Sequence, residues 1–226
     1  MKSVYKIEGM SEVRIRVAKP SDSKAIAALH FAARAKLAKG FFSQVSKLFL
    51  VHYYKVVLDD PNSVVVCAEE SDGVICGFAS GTLDVAKQFS NMGRHKFRFA
   101  LALLPSIVMN PKIILEAFSR YLSTQGKGNE KYVSVAGART EFWVWDSSNK
   151  NSIWSGVLNN AHLHLLLILG VKSVHFEVDA DNDAVVKYSK RNGAVLLDQF
   201  KLKDGRIRLL MQYDLVKKFA RRSNKN

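Results

Sequence analysis

The sequence is poor in the residues that announce a metal, redox or disulfide protein. Only two of its 226 residues are cysteines, Cys67 and Cys76, and neither sits in a CxxC spacing. They fall on the two arms of a predicted hairpin, where they could face each other across it. As a pair in a reducing compartment they read as small buried hydrophobes. His162 and His164 lie two apart on a predicted helix, about 200° around it, so they cannot converge on one ion and no metal is expected. There is no Walker loop, no GxGxxG and no Ser-His-Asp or Cys-His grouping in a telling context. The longest apolar runs, Phe99–Met109 and Leu163–Val171, are interrupted and fall far short of the roughly 20 residues a membrane span needs. Met1–Met10 is mixed and polar, without a secretory pattern. The expectation is a cytoplasmic protein.

Acid is also scarce. Asp and Glu number 20 against 34 Lys and Arg, a net charge of +14. The excess is concentrated. Between Ala86 and Tyr132 eight basic residues (Lys87, Arg94, Lys96, Arg98, Lys112, Arg120, Lys127, Lys131) face only Glu116 and Glu130. The last twelve residues add Lys217, Lys218, Arg221, Arg222 and Lys225 with no acid. Such blocks suit an anionic partner, whether membrane surface, nucleic acid or phosphorylated ligand; the alternative is a solvated face plus a frayed tail.

With 48% hydrophobic residues, the chain can bury a core of ordinary size. Val13–Val17 alternates apolar and charged, as a half-buried strand does. Pro20-Ser21-Asp22 offers a helix start, with Ile26, Leu29, Ala33 and Leu37 on one face. A second helix is predicted over Ser43–Leu58, ended by Asp59-Asp60-Pro61-Asn62. Ser63–Glu69 and Val74–Leu83 form a hairpin across Asp72-Gly73, and Gly77 and Gly81 in its second arm suggest a bend or a close approach. Two short helices, Arg94–Leu104 and Asn110–Leu122, are expected to split at Pro105 and Pro111, followed by a polar loop, Ser123–Glu130. Then come a strand at Arg139–Trp145, an apolar helix at Ser152–Leu169, a strand at Ser173–Val178 and a helix at Asp183–Arg191. A last hairpin pairs Val195–Lys203 with Arg206–Tyr213. The alternation gives a mixed sheet with helices on both faces.

The stretch Val174–Asn182, followed by Asp183-Ala184-Val185-Val186-Lys187-Tyr188 and closed by Lys190-Arg191-Asn192-Gly193, resembles the C-terminal half of the acyl-CoA-dependent N-acetyltransferases of the GNAT superfamily. The resemblance covers roughly residues 13–83 and 139–215. It implies a single α/β (α+β) domain, 1–226, with a GNAT-like mixed, mostly antiparallel central sheet flanked by helices. A basic helical insertion at about 84–138 and a basic tail at about 215–226 complete it. The insertion is weakly similar to that of acetyltransferase-like proteins of bacterial surface-polysaccharide assembly.

The resemblance also implies a site. Acetyl-CoA would lie where the fourth and fifth predicted strands part, its pantetheine arm along the main chain of Trp143, Val144 and Trp145. Its diphosphate would sit on Asn149, Lys150, Asn151, Ser152, Ile153 and Trp154. Backbone N–H groups at a helix start favour an anion there. This loop departs from the family pattern: Ser152 replaces a glycine, Trp154 replaces a small residue, and the connection is about two residues short. Either the Trp154 ring turns away into the sheet, or CoA binds weakly, or not at all. Gly156 could compensate only if the helix start shifts. Asn182 would contact CoA. Ser189 stands where relatives carry the tyrosine that protonates the departing thiolate, and Tyr188 is about 100° away around the helix. Losing such an acid costs about 10²–10⁴-fold in rate. Glu141 is the candidate base, or else an edge carboxylate paired with Arg139 or a lysine; His175 and Glu177 are the fallback pair.

Three readings follow. The first is an N-acyltransferase that moves an acetyl group from acetyl-CoA to a primary amine of a small molecule or amino sugar. The second is a catalytically impaired GNAT-like binding module. The third, compatible with both, is peripheral attachment of the basic insertion to an anionic membrane surface, the inner face of the membrane, with Arg94, Lys96 and Arg98 flanking Phe97 and Phe99. Nucleic acid is disfavoured, because no recognised motif accompanies the charge.

Overall fold

Strand alternation builds one sheet. A computed structural model describes residues 2–5, 13–34, 40–124, 137–146, 148–149, 152–202 and 204–223. Val13 and Ile15 are buried and Arg14 and Arg16 half-buried in β2 (Val13–Val17), as the period of two demands. On one side β2 pairs with a strand the sequence did not suggest, β1 (Lys2–Tyr5), and on the other with β3 (Ser63–Glu70). The hairpin partner of β3 is β4 (Ile75–Thr82), and Gly73 supplies the positive φ at the turn. Next come β5 (Arg139–Trp145) and β6 (Ser173–Asp179), then β8 (Ile207–Asp214) and, at the edge, β7 (Ala194–Lys201). The order is β1-β2-β3-β4-β5-β6-β8-β7. Every neighbouring pair is antiparallel except β5–β6.

Helices cover both faces. On one, α1 (Ser23–Ala33) and α3 (Lys47–Asp59) bury Ile26, Leu50, Tyr54 and Val57 against Val65, Cys67, Phe78 and Val144. The single helix expected at 43–58 is broken: α2 (Phe41–Gln44) ends before Ser46, whose Oγ accepts the Phe49 amide and caps α3. On the other face α7 (Ile153–Ile168) sets Trp154 and Leu158 against Val13, Ile15, Val66 and Ala79. Its second half joins a cluster with β6, β8 and Val186 of α8 (Asp183–Arg191). Cys67 packs on the α1/α3 side and Cys76 on the α7 side, so the two thiols lie on opposite faces, both free. The register explains it: Cys67 stands opposite Phe78.

The stretch 84–138, expected to be an insertion, holds three helices among the described residues, α4 (Val85–Arg94), α5 (Lys96–Met109) and α6 (Ile113–Thr124). Asp84 caps α4 through the Ala86 and Lys87 amides. Pro105 does not end a helix. It lies inside α5, where its missing amide would have met the carbonyl of the exposed Leu101. The predicted polar loop lies outside the described residues from 125 onward, as do Lys127 and Lys131. The basic tail is largely helical: α9 (Leu215–Ser223) buries Leu215 and lays Phe219 on the core.

Candidate active site

The parallel pair β5–β6 holds together at a single rung, Arg139 opposite His175, with the His175 amide donating to the Ala138 carbonyl at 3.3 Å. Beyond it the strands part. Each stays fully laddered on its other side, β5 to β4 and β6 to β8. The facing edges therefore keep main-chain groups without a ladder partner, the arrangement that lets an extended guest bind as a partial strand. A cavity of about 280 Å³ fills the gap. One end is walled by Phe41, Phe42, Ser43 and Tyr53, the other by Asn182, Val185 and Ser189 of α8, with Arg208 and Tyr213 reaching in from β8.

Glu141 stands on the wall of this cleft. The β4–β5 register slips at Ser80/Gly81, so Ser80 faces Phe142, Gly81 faces Thr140, and Glu141 is the extra residue of a bulge. A bulge re-aims its side chain. Simple alternation would put Glu141 with Trp143 and Trp145; instead its carboxyl answers to Tyr53 and Gln88. Burial pushes it above the ordinary carboxylate range, opposed by the Arg139 charge and the Gln88 and Tyr53 side chains. Its Oε2 is buried without a hydrogen-bond partner among the described residues. Gly81 makes the bulge feasible, because a Cβ there would stand 2.5 Å from the Arg139 carbonyl oxygen.

The remaining charge in the cleft is balanced. Glu177 lies 3.9 Å from Arg139 and 3.5 Å from Arg208. Asp179 accepts from Arg206 and Arg208, each at 2.7 Å. His175 is not on the cleft; it meets Gln212 at 3.0 Å, so it and Glu177 do not form a catalytic pair. His162 is buried on the cleft wall with Nε2 donating to the Val64 carbonyl at 3.1 Å and Nδ1 without a hydrogen-bond partner among the described residues, whereas His164 is exposed beside Phe219. No cluster among the described residues could hold a metal.

The loop residues scatter. The Asn149 amide is taken by Glu70, and Lys150 and Asn151 lie outside the described residues. Ser152 is the N-cap of α7 but makes no capping hydrogen bond, and Ile153 is exposed. The Trp154 ring is fully buried in the core, the first of the three outcomes the sequence left open. That leaves the α7 start clear of the indole, with no acid in its first turn. Gly156 lies in the first turn of α7. It admits the Tyr188 ring, whose hydroxyl would lie 3.4 Å from a Cβ there. Trp143 joins cleft to helix: it lines the cavity, donates to the Ser155 carbonyl at 3.1 Å and lies 4.9 Å from the Tyr188 ring. Val144 points into the core, and Trp145 packs on Gly77, whose missing Cβ gives it room. Asn182 caps α8 through the Val185 amide at the cleft rim.

Of the expected site residues the cleft thus gathers Glu141, Trp143, Asn182 and Ser189. Tyr213, Arg208, Tyr53 and Phe42 line it without any spacing in the sequence to flag them.

A sheet parted between a parallel pair, with helices on both faces, is the fold of the GNAT acetyltransferases, and solved structures agree. An N-acetyltransferase from Staphylococcus aureus Mu50 superposes with a TM-score of 0.54 at 15% identity, over 91% of this chain and 99% of that one. A putative acetyltransferase, yncA, from Salmonella typhimurium, solved with acetyl-CoA, gives 0.55 at 15%, over 91% and 95%. The spermidine/spermine N-acetyltransferase SpeG from Vibrio cholerae gives 0.56 at 13%, over 92% and 97%. No protein-family model and no curated protein matches the sequence.

Proposed function

We propose that this protein is an N-acyltransferase that moves an acetyl group from acetyl-CoA to a primary amine of a small molecule. The observation that carries the reading is the β5–β6 cleft with a Glu141 oxygen on its wall that has no hydrogen-bond partner among the described residues. The thioester arm enters as a partial strand along β5, and main-chain N–H groups polarise the carbonyl. The diphosphate meets the α7 start, where the helix dipole favours negative charge. The Trp143 side chain sets the distance between the two. The acceptor approaches from the Phe42–Tyr53 end, and Glu141 takes the ammonium proton so that a neutral amine attacks. A carboxyl raised by burial is a stronger base than an exposed one. The test is thiol release from acetyl-CoA with a panel of amines: spermidine, an amino sugar and an aralkylamine. Turnover with at least one, cut about 10²-fold or more in Glu141→Gln, is expected. No turnover and no thermal shift at millimolar acetyl-CoA would defeat the reading.

A second feature bears on where the enzyme works. On α5, Phe97, Leu101, Leu104 and Val108 form a stripe at helical spacing, each more than half exposed, continued by Met109, Leu115 and Phe118. Arg94, Lys96, Arg98 and Lys112 rim it. An apolar stripe with a basic rim suits an anionic lipid surface, with the protein held peripherally at the cytoplasmic face. Pelleting with phosphatidylglycerol vesicles at low salt, and not with phosphatidylcholine vesicles, is expected. Failure to pellet, or a dimer in sedimentation that buries the stripe, would refute it.

A further inference from the structure

The acyl-transfer reading leaves the departing sulfur without an obvious proton. Ser189, at the position facing the cleft on α8, carries only an aliphatic hydroxyl. Tyr188, its neighbour, is committed elsewhere: its hydroxyl donates to the Gly156 carbonyl at 3.2 Å and accepts from Asn160 at 3.3 Å, away from the cavity.

A second phenol does reach the cleft. Tyr213 comes from β8, and its backbone is clamped on both sides, opposite Val174 of β6 and Ala194 of β7. Its ring stacks on Phe176 at 5.1 Å, and Lys218 Nζ lies 5.1 Å from the ring centre. The residue is 3% exposed, lines the cavity with Ser189, and its Oη is buried without a well-formed hydrogen bond among the described residues. Ser189 is the polar side chain beside it, and a buried phenol without a well-formed acceptor among the described residues is uncommon enough to point to a catalytic role.

We propose that Tyr213 is the catalytic proton donor, giving its phenolic hydrogen to the thioester sulfur as the C–S bond breaks. The proposal rests on the acyltransferase reading. Glu141 first passes the ammonium proton on to cleft water; the neutral amine nitrogen then bonds to the carbonyl carbon and loses its second proton to the freed Glu141 carboxylate. The C–S electron pair goes to sulfur, which takes the Tyr213 proton and leaves as the thiol. Glu141 then returns its proton through cleft water to the phenolate, which the Ser189 hydroxyl holds meanwhile. Burial keeps the phenol at about 12, with Ser189 working in the opposite direction, so the donor stays loaded across the working pH range.

The test uses CoA and desulfo-CoA in calorimetric titrations at pH 9.5, above the ordinary range of a thiol. Wild type is expected to prefer CoA by roughly tenfold or more, the worth of a hydrogen bond to a charged group. Tyr213→Phe should abolish that preference, leave desulfo-CoA affinity unchanged and leave the melting temperature unchanged or higher. Adding Ser189→Tyr should restore it. A Tyr213→Phe protein that still prefers CoA as wild type does would overturn the proposal while leaving the acyltransferase reading intact. Wild type that binds neither ligand would overturn both.

Discussion

Trp154 stands where the family resemblance expects the small residue of a diphosphate loop, and truncating it separates a decayed site from a repacked one. Its side chain is fully buried among Val13, Ile15, Val66, Ala79 and Leu158. A buried aromatic hides roughly 150–250 Å², worth about 4–6 kcal/mol at about 25 cal/mol per Å². Measured Trp→Ala losses run about 3–5 kcal/mol. Since whole domains are stable by about 5–15 kcal/mol, Trp154→Ala should fold marginally and Trp154→Leu comfortably. Urea unfolding of both, beside CoA titration at 10 °C, is the assay. CoA affinity should change less than threefold in Trp154→Leu, because the ring is not among the residues lining the cleft. Unchanged stability with a tenfold tighter CoA complex would show that the indole occupies the ligand's place, and the reasoning would fail.

Other expectations follow from the same geometry. Glu141→Gln should remove the acid limb of the rate profile: the base works only when deprotonated, so wild-type activity falls as pH drops through a pKa raised above the ordinary carboxylate range. His30 and His162 are held by burial at about 4. The unfolded chain therefore takes protons that the folded one refuses; stability is full above pH 6.5 and falls between 6.5 and about 4. At about 1.36 kcal/mol per pKa unit, each histidine costs about 2–3 kcal/mol by pH 4.5, and His162→Gln should flatten the denaturation midpoint's slope over that window. Gly81→Ala should destabilise the fold by about 1–3 kcal/mol and depress turnover more than Gly77→Ala does, because its Cβ would strike the Arg139 carbonyl beside the bulge; equal turnover in the two variants would refute a role for the bulge.

Much of the frame was legible in the residues. Strong periodicity and stop signals set β5, α7, β6 and α8 within a residue or two of where they lie. The stretch expected to be an insertion is less legible, since Pro105 marks a helix end in sequence but is tolerated inside an exposed helix, and the Asp84 cap precedes a weakly apolar segment. The site was legible only in part, for reasons of register. Glu141 was nameable, yet its direction depends on a slip against β4 that no local pattern encodes. The direction of the Trp154 ring is a packing outcome decided by Val13 and Ala79, distant in sequence. Tyr213 reads as one more apolar position of a strand, alternating with Leu209 and Met211. Only the folded sheet brings it beside Ser189.

The most direct measurement is a crystal structure of the protein soaked with acetyl-CoA. The account predicts the thioester between the diverging strands β5 and β6, its carbonyl near Glu141, its sulfur near Tyr213 and its diphosphate at the start of α7. Acetyl-CoA bound elsewhere, or a cleft that stays closed at millimolar ligand, would contradict it.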